Sequence, residues 1–192
     1  MFEIRIHGRG GQGVVTAAEL LSVAAFYDDR HAQAFPSFGS ERTGAPVVSF
    51  CRIDDRPIRV HDPILEPDAL IILDPTLLHQ VDVFGGLRSS GHVLVNTSRP
   101  IDELRVEDLE LDGRLRAVPA TELAREHVGR PVPNAALLGA FAAQTGVVSL
   151  GSVVRAIGER FAGPLGQGNA GAAAAAFALV RGPEALLGAA HA

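Results

Sequence analysis

Met1-Phe2-Glu3-Ile4-Arg5-Ile6-His7-Gly8-Arg9-Gly10-Gly11-Gln12-Gly13, running on into Val14-Val15-Thr16-Ala17-Ala18-Glu19-Leu20-Leu21, is the stretch that decides the fold class. Phe2, Ile4 and Ile6 alternate with polar residues, which is the period of a strand. From Val14 to Phe26 the apolar residues Val14, Ala18, Leu21 and Ala25 recur at helical spacing. A glycine cluster joins the two: Gly8, Gly10, Gly11 and Gly13. Strand, glycine turn and helix together open an α/β sheet. Glycines allow a tight turn and a close backbone approach, and the helix N-terminus behind them offers unpaired N–H groups and partial positive charge. Thr16 adds a hydroxyl in the first helical turn.

Gly8, Gly10 and Gly13 also satisfy the dinucleotide-binding spacing. Three readings of the loop therefore stand: a turn that packs strand against helix, a phosphate or other anion site, and an NAD or FAD site. A dinucleotide fold wants an acidic residue at the end of its second strand, about 20 residues on. Asp28 and Asp29 come too early for that, His31 to Phe35 contains none, and Glu41 comes late, inside a loop. No Walker lysine is present.

Working outward, Gln33 to Phe35 and Ala45 to Ile53 read as strands, and Asp54-Asp55 as a turn after which Pro57 to Val60 returns as a hairpin partner. Ala69 to Leu73 and His92 to Val95 are short continuous apolar runs, suited to strands buried on both faces of a parallel sheet. Leu115 to Val118 repeats the pattern ahead of a helix near Glu122 to Val128. Ile101 to Gly113 is charged and acidic, a surface loop or short helix. The last third changes character: Asn134 to Gln144, Leu150 to Phe161 and Asn169 to Val180 are helices rich in Ala and Leu. The expected fold is α/β, one domain over residues 1–192, with a mostly parallel, Rossmann-like sheet flanked by helices and a helical C-terminal third.

The 192 residues are 47% hydrophobic, enough for a sizeable core. Acidic residues number 22 against 17 basic ones, a net charge of -5, so no electrostatic footprint for nucleic acid is present. No apolar run reaches transmembrane length, and the first residues lack the basic flank and apolar core of a signal peptide, so the expectation is a cytoplasmic protein with no membrane partner. The single cysteine, Cys51, excludes an internal disulfide and an iron–sulfur cluster bound by this chain alone. In a strand, it reads as a buried inert thiol.

The segment Phe35-Pro36-Ser37-Phe38-Gly39-Ser40-Glu41-Arg42-Thr43-Gly44-Ala45-Pro46 is unusual for a loop, with two phenylalanines beside a Glu-Arg pair. Exposed aromatics mark a contact surface. Arg42 suits a bidentate pairing with a carboxylate or phosphate, or else it is simply solvated. Ser37 has no G-x-S-x-G elbow and is not a hydrolase nucleophile. His7, His61, His79 and His92 have no metal-ligand spacing. Asp74 closes a strand, where it either faces a ligand or caps the next helix, and Asn134 either caps its helix or contacts a ligand.

Gly8 to Gly13 with Thr16-Ala17-Ala18-Glu19-Leu20-Leu21 resembles the gamma subunit of pyruvate and related 2-oxoacid:ferredoxin oxidoreductases. Pro36-Ser37-Phe38-Gly39-Ser40-Glu41-Arg42, running into Gly44-Ala45-Pro46-Val47, is similar to that family's second signature. Pro133 to Ala140 and the helix from Asn169 to Phe177 fit its C-terminal region, so the resemblance spans nearly the whole chain. Thr43 stands where relatives carry arginine or glycine, which weakens any clamp built from adjacent arginines.

The resemblance implies a subunit that is inactive alone, within a complex that converts a 2-oxoacid (pyruvate foremost) and coenzyme A into acyl-CoA and carbon dioxide. Thiamine diphosphate, Mg2+ and the iron–sulfur clusters then belong to alpha, beta and delta partners, with ferredoxin as electron acceptor and coenzyme A as substrate. This chain binds no cofactor alone and supplies no catalytic residue or metal ligand. Gly8, Gly10, Gly11, Gln12, Gly13 and Thr16 are the expected contacts to coenzyme A phosphates, with Arg42 as a clamp or interface anchor. The alternatives are a scaffold subunit of the same complex without ligand contact, and a stand-alone nucleotide-binding oxidoreductase.

Overall fold

A computed structural model describes residues 1–37, 44–106, 111 and 113–182. Its strands are β1 (Phe2–Arg9), β2 (His31–Pro36), β3 (Pro46–Asp54), β4 (Ala69–Ile72), β5 (His92–Asn96) and β6 (Leu115–Val118). Its helices are α1 (Val14–Tyr27), α2 (Ala120–Val128), α3 (Asn134–Thr145), α4 (Leu150–Arg160) and α5 (Gly163–Arg181), with short 3-10 turns at Pro75–His79 and Ile101–Leu104. The strands form one sheet in the order β2-β3-β1-β4-β5-β6. β1, β4, β5 and β6 pair in parallel, whereas β3 lies antiparallel between β1 and β2.

That order overturns one expectation. Pro57 to Val60 does not return as a hairpin partner, because both edges of β3 are already taken by β1 and β2. The segment is held from the sheet instead: Arg52 donates through its guanidinium to the carbonyls of Val60 (3.4 Å) and Asp62 (2.6 Å).

The helices flank the sheet on one side. Ile4, Ile6, Cys51, Ile53, Ile71 and Leu94 share a single core with residues from all five helices, among them Leu21, Ala120, Phe141, Ile157 and Ala173. The opposite face carries a smaller core in which Leu70, Ile72, Val93 and Val95 pack against Leu77, Val83, Leu104 and Leu111. β4 is buried on both faces, as its unbroken apolar run predicts. Among the described residues no helix is long and apolar enough to cross a membrane.

The alternation in β1 conceals a second buried face. Arg5 and His7 are 9% and 5% exposed, and Arg5 donates to the carbonyls of Val83 and Gly85, both at 2.8 Å. His7 Nε2 has no hydrogen-bond partner among the described residues. Burial, helped by the neighbouring Arg5 charge and opposed by Asp82, pushes the His7 imidazole down to about 4. Between that value and the ordinary 6.5 the unfolded chain holds more protons than the folded one, so stability rises with pH through this window. We expect the chain to lose up to about 3 kcal/mol between pH 7 and pH 4 from this group. Urea midpoints across that range should flatten in His7→Gln, and an unchanged slope would remove His7 as the cause.

Candidate functional site

The glycine loop leaves β1 at its carboxyl end, the edge where open α/β sheets receive ligands. The Gly10 N–H donates to the Ala45 carbonyl (3.0 Å), the Gly44 N–H to the Gly10 carbonyl (3.4 Å), and the Gln12 N–H to the Arg9 carbonyl (3.0 Å). The first family-like signature is thereby stitched to the return of the second. Gly11 (φ 94°) and Gly13 (φ 80°) sit in the left-handed region that favours glycine. A Cβ on Gly11 would meet nothing within 4 Å, so its requirement is conformational and the space above it is open.

Gly13 is also the cap residue of α1. With no side chain it forms no side-chain cap, and the first turn of α1 holds no acidic residue. The first α-helical bond runs from the Ala17 N–H to the Gly13 carbonyl (2.9 Å), with the N–H groups of Val14, Val15 and Thr16 ahead of it. These are the donors a phosphate wants at a helix N-terminus. They border a concavity of about 410 Å³ lined by Arg9, Gly10, Gly11, Gly13, Val14, Val15, Thr16 and Val47.

The loop is anchored at Asp74, just past β4. Asp74 Oδ2 accepts from Arg9 Nε (3.0 Å) and from Gln12 Nε2 (3.0 Å), and Oδ1 accepts from the amide (3.0 Å) and hydroxyl (2.6 Å) of Thr76. Gln12 Oε1 accepts the Arg9 N–H at 2.8 Å. The remaining Arg9 donors reach the Gly44 carbonyl (3.1 Å), Thr76 Oγ1 (2.8 Å) and Gln80 Oε1 (2.6 Å). Partial burial works against the Asp74 carboxylate, but the Thr76 and Gln12 hydrogen bonds and the Arg9 charge outweigh it and hold the carboxyl below its usual range.

The family model described as pyruvate ferredoxin/flavodoxin oxidoreductase matches residues 3–179. The chain belongs to this family. It is 52% identical over 177 residues to the pyruvate/ketoisovalerate oxidoreductases common subunit gamma of Thermococcus kodakarensis, covering 92% of this chain and 96% of the relative. The pyruvate synthase subunit PorC of Methanocaldococcus jannaschii is 49% identical over the same shares of both chains. The crystal structure of pyruvate oxidoreductase subunit PORC from Thermotoga maritima superposes with a TM-score of 0.78 at 32% identity, covering 92% of this chain and 94% of that one. The chain is thus a gamma-type (PorC) subunit of a multi-subunit oxidoreductase.

In this gamma-type chain the residues expected at the site divide. Gly10, Gly11, Gly13 and Thr16 line one concavity. Gly8 is buried, and a Cβ there would sit 2.6 Å from Val14 Cγ2 and 3.1 Å from Leu73 Cβ, so it packs strand against helix. The Gln12 side chain turns sideways to Arg9 and Asp74. Arg42, with the rest of 38–43, lies outside the described residues.

Two neighbours shape the loop in ways that its glycine motif does not state. Arg9 is one, for its partners are remote in the chain. Asn134 is the other: it opens α3, accepts the Ala135 N–H on Oδ1 (2.8 Å) and points Nδ2 at the Gly13 carbonyl (3.5 Å). A Cβ on Gly13 would lie 2.5 Å from that Nδ2, so Asn134 braces the loop from behind. Asp28, too early for a ribose contact, accepts from the Ser149 amide (2.7 Å) and the Ser149 and Ser152 hydroxyls (2.8 and 2.7 Å), tying α1 to α4. β3 stands between β1 and β2, so the second strand does not adjoin the first as in a dinucleotide fold. Cys51 is fully buried, which pushes its thiol up to about 12 and leaves it inert.

Proposed function

We propose that this subunit supplies phosphate-binding donors to the coenzyme A site of a 2-oxoacid:ferredoxin oxidoreductase, with pyruvate the foremost 2-oxoacid, and helps to complete its assembly. One observation carries the reading: the uncapped N-terminus of α1 opens behind Gly11 and Gly13 into a concavity with Thr16 on its wall. A free coenzyme A phosphate suits those donors. The other tasks fall to partners: alpha and beta chains with thiamine diphosphate and Mg2+, and a delta chain with iron–sulfur clusters that passes electrons to ferredoxin. Thiamine diphosphate supplies the carbanion chemistry. The Thermococcus relative is named as common to pyruvate and ketoisovalerate enzymes, which supports placing the choice of 2-oxoacid outside this chain. Arg42 completes the reading as a clamp or interface anchor, and the complex is placed in the cytoplasm.

A scaffold without ligand contact is the second reading. Gly8 and the Gln12 side chain favour it, since both are spent on internal packing and hydrogen bonds. The experiment is co-expression with alpha, beta and delta partners, purification by a tag on this chain, and coenzyme-A-dependent dye reduction by pyruvate. In the purified complex, Thr16→Val and Gly11→Val should raise the KM for coenzyme A about tenfold, the equivalent of one hydrogen bond to a charged group. The kcat and the KM for pyruvate should hold. An intact complex with unchanged coenzyme A kinetics in both variants would leave the scaffold.

A further inference from the structure

We propose that Asp74 is a positioning residue for the glycine-loop phosphate site, acting through Arg9 and Gln12 without touching the ligand; this rests on the coenzyme A reading above. Its two oxygens accept from four donors on three segments: Arg9 Nε, Gln12 Nε2, and the amide and hydroxyl of Thr76. An ionised carboxylate has acceptor capacity for all four and no proton to set against them. Through Gln12, whose Oε1 holds the Arg9 N–H, it closes the turn that carries Gly11. Through Arg9, which also reaches the Gly44 carbonyl, it fixes the strip where Gly10 pairs with Ala45 and Gly44.

The arrangement has a chemical consequence for the site. Arg9 lines the concavity, yet its guanidinium is committed to Asp74, Thr76, Gln80 and Gly44. Its charge is balanced by Asp74, so the anion is left to the backbone N–H groups of the loop and of α1. Binding by backbone donors demands a fixed backbone, because the donors cannot swing to follow a ligand. A carboxylate 65 residues from Arg9 and 62 from Gln12, just past the neighbouring strand β4, supplies that rigidity.

Asparagine at this position keeps the shape but offers one oxygen, and turns an NH2 group toward donors. In the purified complex, Asp74→Asn should raise the KM for coenzyme A at least tenfold while kcat and the KM for pyruvate stay within twofold. Asp74→Glu, which keeps the carboxylate, should recover part of the loss. Amide hydrogen exchange at Gly10 to Thr16, measured without coenzyme A, should be faster in Asp74→Asn. If that variant does not assemble, Gln12→Met cuts one arm alone and should raise the coenzyme A KM about threefold.

Any one of four results overturns the proposal. An unchanged coenzyme A KM in Asp74→Asn, or in Gln12→Met where it substitutes, while Thr16→Val raises it, would refute the positioning role and leave the site reading standing. A parallel fall in kcat with both KM values unaffected, or exchange rates unaltered in the loop, would reduce Asp74 to general structure. No effect from Thr16→Val, Gly11→Val or Asp74→Asn would remove the coenzyme A reading and this inference together.

Discussion

Gly139→Val is expected to destabilise the chain by roughly 3–5 kcal/mol, at or beyond the upper end of overpacking costs. Gly139 is buried in α3, and an added Cβ would fall 1.9 Å from the Ala173 carbonyl oxygen, 2.6 Å from its carbon and 2.7 Å from its Cα. Those atoms are backbone of α5, so no rotamer change relieves the clash and the two helices must move apart. Moving them opens a layer in which Ala172, Ala173 and Ala176 are all nearly or fully buried. Against a typical domain stability of about 5–15 kcal/mol, the variant sits near the unfolding threshold. Urea midpoints of the purified chain measure it. Gly158→Ala is the control of opposite sign, because Gly158 lies in α4 with nothing within 4 Å of an added Cβ. It should gain up to about 1 kcal/mol from helix propensity. A midpoint unchanged in Gly139→Val would mean that α3 and α5 do not make the contact described.

Gly139 also shows what a sequence reveals and what it withholds. The run from Asn134 to Gln144 announces a helix by propensity alone. It does not announce that Asn134 through Ala143 are all buried, because a helix covered on every side has no apolar stripe to read. The sheet behaved similarly. Alternation and apolar runs identified strands at Gln33, Ala45, Ala69, His92 and Leu115, but strand order depends on tertiary pairing, and the local turn at Asp54-Asp55 pointed to a hairpin that β1 and β2 pre-empt. In β1 the alternation marked a strand without showing that its polar face is buried too: Arg5 is held beneath the segment carrying Val83 and Gly85, and His7 is buried beside it.

At the site, what is local was legible. The spacing singled out Gly10, Gly11, Gly13 and Thr16, and the fold sets these four around one concavity. The same spacing could not separate them from Gly8 and Gln12, whose roles are set by Val14, Leu73 and Asp74. Arg9 was silent because each of its side-chain partners comes from a later segment. A glycine motif states that the backbone must turn sharply; only the fold states which glycines face the solvent.

The far end of β1 carries the other large effect. Arg52 is 2% exposed, and its guanidinium binds Glu3 Oε1 (2.9 Å) and the carbonyls of Val60 and Asp62, with the Phe35 ring 5.3 Å away. Glu3 keeps a weaker partner in the half-exposed Arg88 (3.5 Å), which also pairs with Asp68 at 3.2 Å. Arg52→Met retains an apolar stem but leaves a mostly buried carboxylate and two carbonyls short of a donor, so it should cost about 3–4 kcal/mol. Glu3→Gln should cost less, since Arg52 keeps both carbonyls. The double variant should fall well short of the sum, because the uncompensated charge disappears with its partner. Losing Arg52 also releases the segment from Pro57 to Asp62, so trypsin should cut faster after the exposed Arg59, whereas Arg56 is followed by proline and resists it. The glycine loop leaves the opposite end of the strand, so the coenzyme A KM of the surviving complex should stay within twofold. A stability loss below about 1 kcal/mol would show that water already reaches Glu3 and that this pair is an ordinary surface bridge.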